Sequence, residues 1–160
     1  MFEETASSRE EQVVVFQLCG QDYGVEIASV QQIIQVQSIT RLPKTPNFIQ
    51  GVINIRGEII PVLDLCQRFG MLKVDTLEDS KIVIVEVSGF TVGLVVDSVS
   101  EVLRIPRENL QHPPAMMGNV DVYYLQGIAL REDGSLIILL ELNKLLSDIE
   151  KQELVQMDSI

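Results

Sequence analysis

Hydrophobic positions in this chain come in short runs separated by polar or glycine breaks, and the same order of runs occurs twice. "VVVFQL" (13–18) and "IVIVEV" (82–87) are rich in β-branched residues and predict strands. After each comes a brief break, "CGQD" or "SG", and a second apolar run, "YGVEI" or "TVGLVV", which together predict a hairpin. Beyond it Ile27, Val30, Ile33 and Ile34 fall at helical spacing, as do Val96, Val99, Val102 and Leu103, so a short helix is expected in each half. Proline-bearing connections follow, "RLPKTP" and "IPRENLQHPPAMMG". Each half then closes on another hairpin, turning at "RGE" or "EDGS". The final "ELNKLLSDIEKQEL" places Leu142, Leu145, Leu146 and Ile149 at helical spacing. It predicts one short helix, or two with Ser147 as a cap between them.

Laid together, the halves form an internal repeat. Residues 13–36 lie without a gap on 82–105, and "FIQGVINIRGEIIPVLDL" (48–65) lies on "YLQGIALREDGSLIILLEL" (124–142) with one extra residue in the second turn. Short strands with tight turns, written twice, predict an all-β fold of two similar barrels or sandwiches. Modules of about 70 residues have marginal cores, so the two are expected to pack on each other. The expected organisation is an acidic, flexible N-terminus (1–11), one domain over 12–146 and a C-terminal helix or tail (147–160). Within the domain the halves divide near 12–80 and 81–146, a division that leaves room for interleaving.

The repeat is also an internal control, because a residue needed only to build the module should occur in both copies. Glycines pass: Gly51 and Gly57 meet Gly127 and Gly134, and Gly24 meets Gly93. Arg56 does not, since its counterpart is Glu132 or Asp133. Pro61 faces Ile138, and its missing N–H predicts a strand that is an edge at that point. Arg56 is therefore either a contact for another molecule or an exposed hairpin arginine paired with Glu58 or Asp64. Val30 and Val99 are either plain core or the lining of a groove between modules, suited to the apolar face of a helical partner.

Composition narrows the chemistry. A hydrophobic content of 46% is enough for a packed interior, and a net charge of −11 argues against nucleic acid and anionic membranes. No apolar run reaches the roughly 18 residues of a membrane span. The opening "MFEETASSREEQ" is unlike a signal peptide. Two cysteines far apart in sequence, Cys19 and Cys66, fit a reduced cytosolic setting, with Cys66 a small buried hydrophobe. Together with the single His112, in a proline-rich loop, they cannot complete a closed zinc site. No phosphate-cradling or nucleophile motif occurs, so no metal, no cofactor and no catalysis are expected. From Ile27 to Gly57 there is no Asp or Glu, while Arg41, Lys44 and Arg56 stand in that window. Such a basic island suits acidic side chains on a partner protein.

The blocks "YGVEIASVQQII", "FIQGVINIRGEIIPVLDL", "VGLVVDSVSEVL" and "YLQGIALREDGSLIILLELNKLL", in this order over Gln12 to Leu146, resemble the CheW family of bacterial chemotaxis adaptors. The resemblance implies two SH3-like five-stranded β-barrels around a shared hydrophobic core. It also implies a cytoplasmic scaffold, recruited to membrane-associated arrays, that couples transmembrane chemoreceptors to the histidine kinase CheA. On that basis the receptor's helical-hairpin tip docks between the barrels, with Val30, Ile33, Val99 and Val102 at the groove and Arg56 beside it. Gly51, Gly57, Gly93 and Gly127 would shape the backbone there. The kinase's regulatory domain would contact the first barrel near Arg41, Leu42, Pro43 and Phe48. Two positions depart from the family's pattern: Gln32, where a glutamate is frequent, and Cys66, where an arginine often follows "DL". Neither nucleic acid nor direct membrane insertion is implied. The same module occurs in CheA, which needs a phosphotransfer histidine and an ATP-binding domain, and in CheV, which needs a receiver domain. Two further readings stand beside the chemotaxis adaptor. One is a CheW-like adaptor of a motility or second-messenger pathway; the second, from a different class, is a small β-barrel ligand binder or enzyme.

Overall fold

The computed structural model describes residues 10–41, 43, 48–63, 65–69, 79–113 and 124–158. The strands are β1 (Glu10–Leu18), β2 (Gln21–Glu26), β3 (Val30–Gln35), β4 (Ile49–Ile55), β5 (Glu58–Leu63), β6 (Lys81–Val87), β7 (Phe90–Val96), β8 (Ser98–Pro106), β9 (Leu110–Gln111), β10 (Leu125–Leu130) and β11 (Leu136–Leu140). They form two sheets, in the orders β8-β1-β2-β11-β10-β9 and β3-β6-β7-β5-β4. Each has five principal strands, as the family resemblance implies. The two-residue β9 has its counterpart in the second sheet as a single bridge, Thr40 to Val52.

The sheets do not follow the halves of the sequence. The β1–β2 hairpin joins strands from the second half, and β6–β7 joins strands from the first. Two short parallel seams make the exchange: Tyr23 and Gly24 beside Ile138 and Leu139, and Val62 and Leu63 beside Gly93 and Leu94. A cut near residue 80 would therefore separate strands from their own sheets.

The helices expected around Val30 and Val99 are strands, each preceded or followed by only one 3-10 turn, Ile27–Ser29 and Arg107–Asn109. A β-bulge explains the difference. Val30 stands opposite Val85 and Gln32 opposite Ile84, leaving Gln31 over; Val99 stands opposite Phe16 and Glu101 opposite Val15, leaving Ser100 over. One extra residue turns the two-residue period of a strand into a spacing of three. Val30 and Ile33 then share a face, as do Val99 and Val102, at the interval a helix would give.

Burial accounts for the uninterrupted apolar runs. Val14, Phe16 and Leu18 face a central core with Val83, Val85, Val87, Ile138 and Leu140, drawn from both sheets. Their alternate neighbours Val13 and Val15 pack with Ile137 and Leu139 in a second core, and Ile82 and Ile84 pack with Ile60 and Val62 in a third. Strands buried on both faces lose the polar alternation of a surface sheet. Tyr23 stacks between Phe16 and Phe69, with ring centroids 5.9 and 5.7 Å away. Burial, with the two nearby cysteines adding, pushes its hydroxyl up to about 12.

Pro61 stands opposite Val52, whose own N–H and carbonyl bond Thr40. The pair is thus a non-hydrogen-bonded one, and the missing donor of Pro61 points away from β4, toward β7. Pairing with β7 begins only at Val62, so β5 is an edge at Pro61, as its sequence predicts. A short helix α1 (Leu65–Arg68) follows β5, and a 3-10 turn (Leu142–Lys144) and helix α2 (Asp148–Asp158) follow β11. Ser147 caps α2: Glu150 N–H donates to its Oγ at 3.2 Å, and its own N–H donates to Glu150 Oε1 at 2.9 Å. Cys66 is buried, as expected, but the distance between the cysteines is one of sequence only: the sulfurs of Cys19 and Cys66 lie 3.3 Å apart.

Candidate functional site

β3 and β8 stand last in their sheets, so each is paired along one side only among the described residues. Val30 and Val99 are half-buried and lie against the central core. Ile33 is 41% exposed and Val102 53% exposed. The bulges thus put a half-buried valine and a more exposed large apolar side chain on one face, at matching places on both outer strands. Ser100, the extra residue in β8, donates its Oγ to the carbonyl of Val15 at 3.3 Å, holding the bulge closed. Gln32, at one departure from the family pattern, is exposed on β3.

Arg56 and Gly57 are the two-residue loop between the paired residues Ile55 and Glu58. Their φ angles of 52° and 88° make a type I′ turn, whose twist matches that of the strands. Asparagine or glycine is the usual first residue, because a larger side chain is strained at positive φ. The turn is tied from below instead: Asn54 Oδ1 accepts the Gly57 N–H at 2.8 Å, and Gln37 Nε2 donates to the Asn54 carbonyl at 3.1 Å. Arg56 is exposed and makes no ion pair with Glu58; Asp64, the second local carboxylate, lies outside the described residues.

Gln37 also locates the turn. It lies two residues beyond the end of β3, so the Arg56 turn sits toward the opposite end of that strand from Val30, roughly 20 Å along extended chain. Val30 and Val99 share the central core; Arg56 stands apart from them. Ile59, opposite Asn54 in the same hairpin, is an exposed large apolar residue that sequence reasoning missed. The repeat hid it, because Leu136, in the matching place, is also exposed.

The glycines divide by role. Gly57 is there for positive φ. Gly51 is there for space: a Cβ would lie 2.5 Å from Ile39 Cγ2 and 2.7 Å from the Thr40 carbonyl oxygen, where the chain leaving β3 crosses β4. Gly127 lies beneath Gln111 in the same way, less tightly at 3.2 Å, and Gly93 faces Ile82 Cγ2 at 3.0 Å. Of the residues expected at the kinase contact, Arg41 and Pro43 are exposed and Phe48 is half-buried against the central core. Leu42 lies outside the described residues, as does Lys44 of the basic island.

A polar tie not foreseen from sequence joins the β10–β11 turn to the other hairpins. Arg131 pairs with Asp22 at the start of β2, and its Nη2 lies 3.1 Å from Glu101 Oε2 on β8. Gln17 Nε2 donates to Asp22 Oδ1 at 2.8 Å, and this bond, with Arg131, holds the Asp22 carboxyl below its ordinary value against the opposing effect of burial. Such long-range pairs leave no periodic mark in a sequence. Among the described residues no three His, Cys, Asp or Glu side chains gather as metal ligands, and His112 is exposed. No helix among them is long and apolar enough to cross a membrane.

Comparison with known proteins adds an independent line. The family model for the CheW-like domain matches residues 12–150. A chemotaxis protein CheW of Treponema pallidum is 33% identical over 91% of this chain and 88% of its own length. One from Klebsiella aerogenes is 36% identical over 88% of this chain and 84% of its own. Among solved structures, the scaffolding protein TtCheW from Thermoanaerobacter tengcongensis superposes with a TM-score of 0.78 at 42% identity, covering 86% of this chain and 88% of that one.

Proposed function

Because the chain belongs to the family of CheW-like domains, we propose that it is a non-catalytic chemotaxis adaptor, joining a CheA-type histidine kinase to the cytoplasmic tip of a transmembrane chemoreceptor. The observation that carries this reading is the matched apolar pair on each outer strand, Val30 with Ile33 and Val99 with Val102. Exposed apolar side chains on a strand edge suit the apolar face of a helix. Arg56 meets acidic residues farther along the same partner; about 14 residues of helix, at 1.5 Å each, cover roughly 20 Å. Gly51 and Gly127 keep the crossing segments close, Gly93 keeps the seam beside Val62 close, and Gly57 keeps the Arg56 turn tight. The kinase regulatory domain binds at Arg41, Leu42, Pro43 and Phe48. The adaptor reaches the membrane only through the receptor it holds.

Calorimetric titration of the full chain with a receptor-tip hairpin and with a kinase regulatory domain tests this. Both should bind at micromolar concentrations, and neither should displace the other. If neither binds in that range, the adaptor reading fails.

A further inference from the structure

Cys19 opens the β1–β2 turn at φ 53°, and Cys66 lies on α1, just after β5. Both are thiols here, with their sulfurs 3.3 Å apart. The repeat supplies a control for this contact. Cys19 aligns with Ser88 and Cys66 with Asn143, because Leu65 aligns with Leu142. In the second half those positions also meet: Ser88 N–H donates to Asn143 Oδ1 at 3.1 Å. The same juncture between a hairpin turn of one sheet and the segment that follows the other is thus closed once by a polar bond and once by two sulfurs. The architecture does not require sulfur there.

We propose that Cys19 and Cys66 form a reversible thiol-oxidation site whose oxidant is a hydroperoxide. Cys19 is the half-exposed member and Cys66 the buried one, which sets the order of events. The Cys19 thiolate attacks one oxygen of hydrogen peroxide; the O–O bond breaks, water leaves, and Cys19 becomes a sulfenic acid. The Cys66 sulfur then attacks the Cys19 sulfur, the S–S bond forms, and the hydroxyl departs as a second water with the thiol proton. Two thiols lose two electrons and one peroxide becomes two waters. A dithiol reductant reverses the step. Cys19 N–H donates to Asp97 Oδ2 at 2.9 Å, so the turn carrying the attacking sulfur is already held in place. The product ties the β1–β2 turn of the first sheet to α1, which follows β5 of the second.

The test treats the full chain with a few equivalents of hydrogen peroxide, then alkylates and maps peptides by mass. An intramolecular Cys19–Cys66 link is expected, cleaved by dithiothreitol, with the melting temperature raised by about 5–10 °C. Cys66→Ser should leave Cys19 as a sulfenic acid that dimedone captures. The pair C19S and C66N, which copies the second half, should melt like the reduced protein and show no peroxide-dependent shift. Two thiols still open to alkylation after peroxide, oxidation of Cys66 before Cys19, or cross-links only between molecules would each overturn the proposal. The mapping on the unmodified chain decides the matter even if a variant fails to fold, and it needs no binding partner.

Discussion

Val30 and Val99 each stand immediately before a bulged residue, and each takes its ladder partner from the other half of the chain, Val30 from Val85 and Val99 from Phe16. The two positions are therefore equivalent in backbone as well as in sequence. Their exposed companions on the same face, Ile33 and Val102, are the places where a groove is tested without disturbing the core. Ile33→Asp and Val102→Asp should each change stability by no more than about 0.5 kcal/mol, since both side chains are exposed. Affinity for a receptor-tip hairpin should fall by tenfold or more. Unchanged affinity in both variants would remove these strands from the interface.

Arg56 permits two substitutions with opposite effects. Arg56→Asn installs the residue pair that a type I′ turn prefers and should stabilise the protein by up to about 1 kcal/mol. Arg56→Glu keeps the turn strain and should leave the melting temperature nearly unchanged. Both remove the cation, so both should weaken receptor coupling, Glu more than Asn. A stability loss above about 2 kcal/mol in Arg56→Glu would show that the guanidinium is part of the fold.

Gly51→Ala places a methyl group 2.7 Å from a backbone oxygen, which cannot swing aside as a side chain can. We expect a loss of about 3 kcal/mol, read as a lower denaturation midpoint in urea. Gly127→Ala, with its nearest atom at 3.2 Å, should cost about 1 kcal/mol. Equal effects would mean that the crossing segments above the two glycines yield equally.

Asp22 provides a pH-dependent term. Its folded pKa is lowered, by Gln17 first and by Arg131, so the folded protein holds that proton less readily than the unfolded chain. The stabilisation is complete above the unfolded value, near pH 4, and is lost as pH falls through the folded value below it. Asp22→Asn should cost about 1 kcal/mol at pH 7, and the difference should shrink once the pH is taken below the folded value of Asp22. Urea midpoints of both proteins at neutral pH and below that value give the comparison; a difference that persists at the acid end would count against the ion pair.

Much of the fold was legible because the repeat was. Runs such as Val13–Phe16 and Ile82–Val85 mark strands buried on both faces, and "NIRG" with "EDGS" marks hairpin turns. The Ser147 cap and the local edge at Pro61 also followed from side-chain chemistry. What failed was the helix assignment at Val30 and Val99, because a bulge imitates a spacing of three. The contacts between remote residues were not visible at all. Arg131 with Asp22, Cys19 with Cys66, and Gln37 beneath the Arg56 turn depend on how hairpins are exchanged between sheets, which hydrophobic period does not encode. The candidate groove follows from family resemblance and from the repeat; the exposure of Ile33, Ile59 and Val102 comes only from packing.

The exchange of hairpins also bears on how the chain comes to be folded. β2 is completed by β11, and β1 by β8, so the first strands synthesised wait for the last ones before their sheet exists. At about 5–20 residues per second this wait is on the order of ten seconds. During it the Val13–Leu18 run has neither its outer partner nor its two cores, and non-local pairing of this kind is intrinsically slow. A nascent or truncated first half is therefore the form of this protein most in need of a chaperone, and its two modules, though alike in shape, are a single unit of folding.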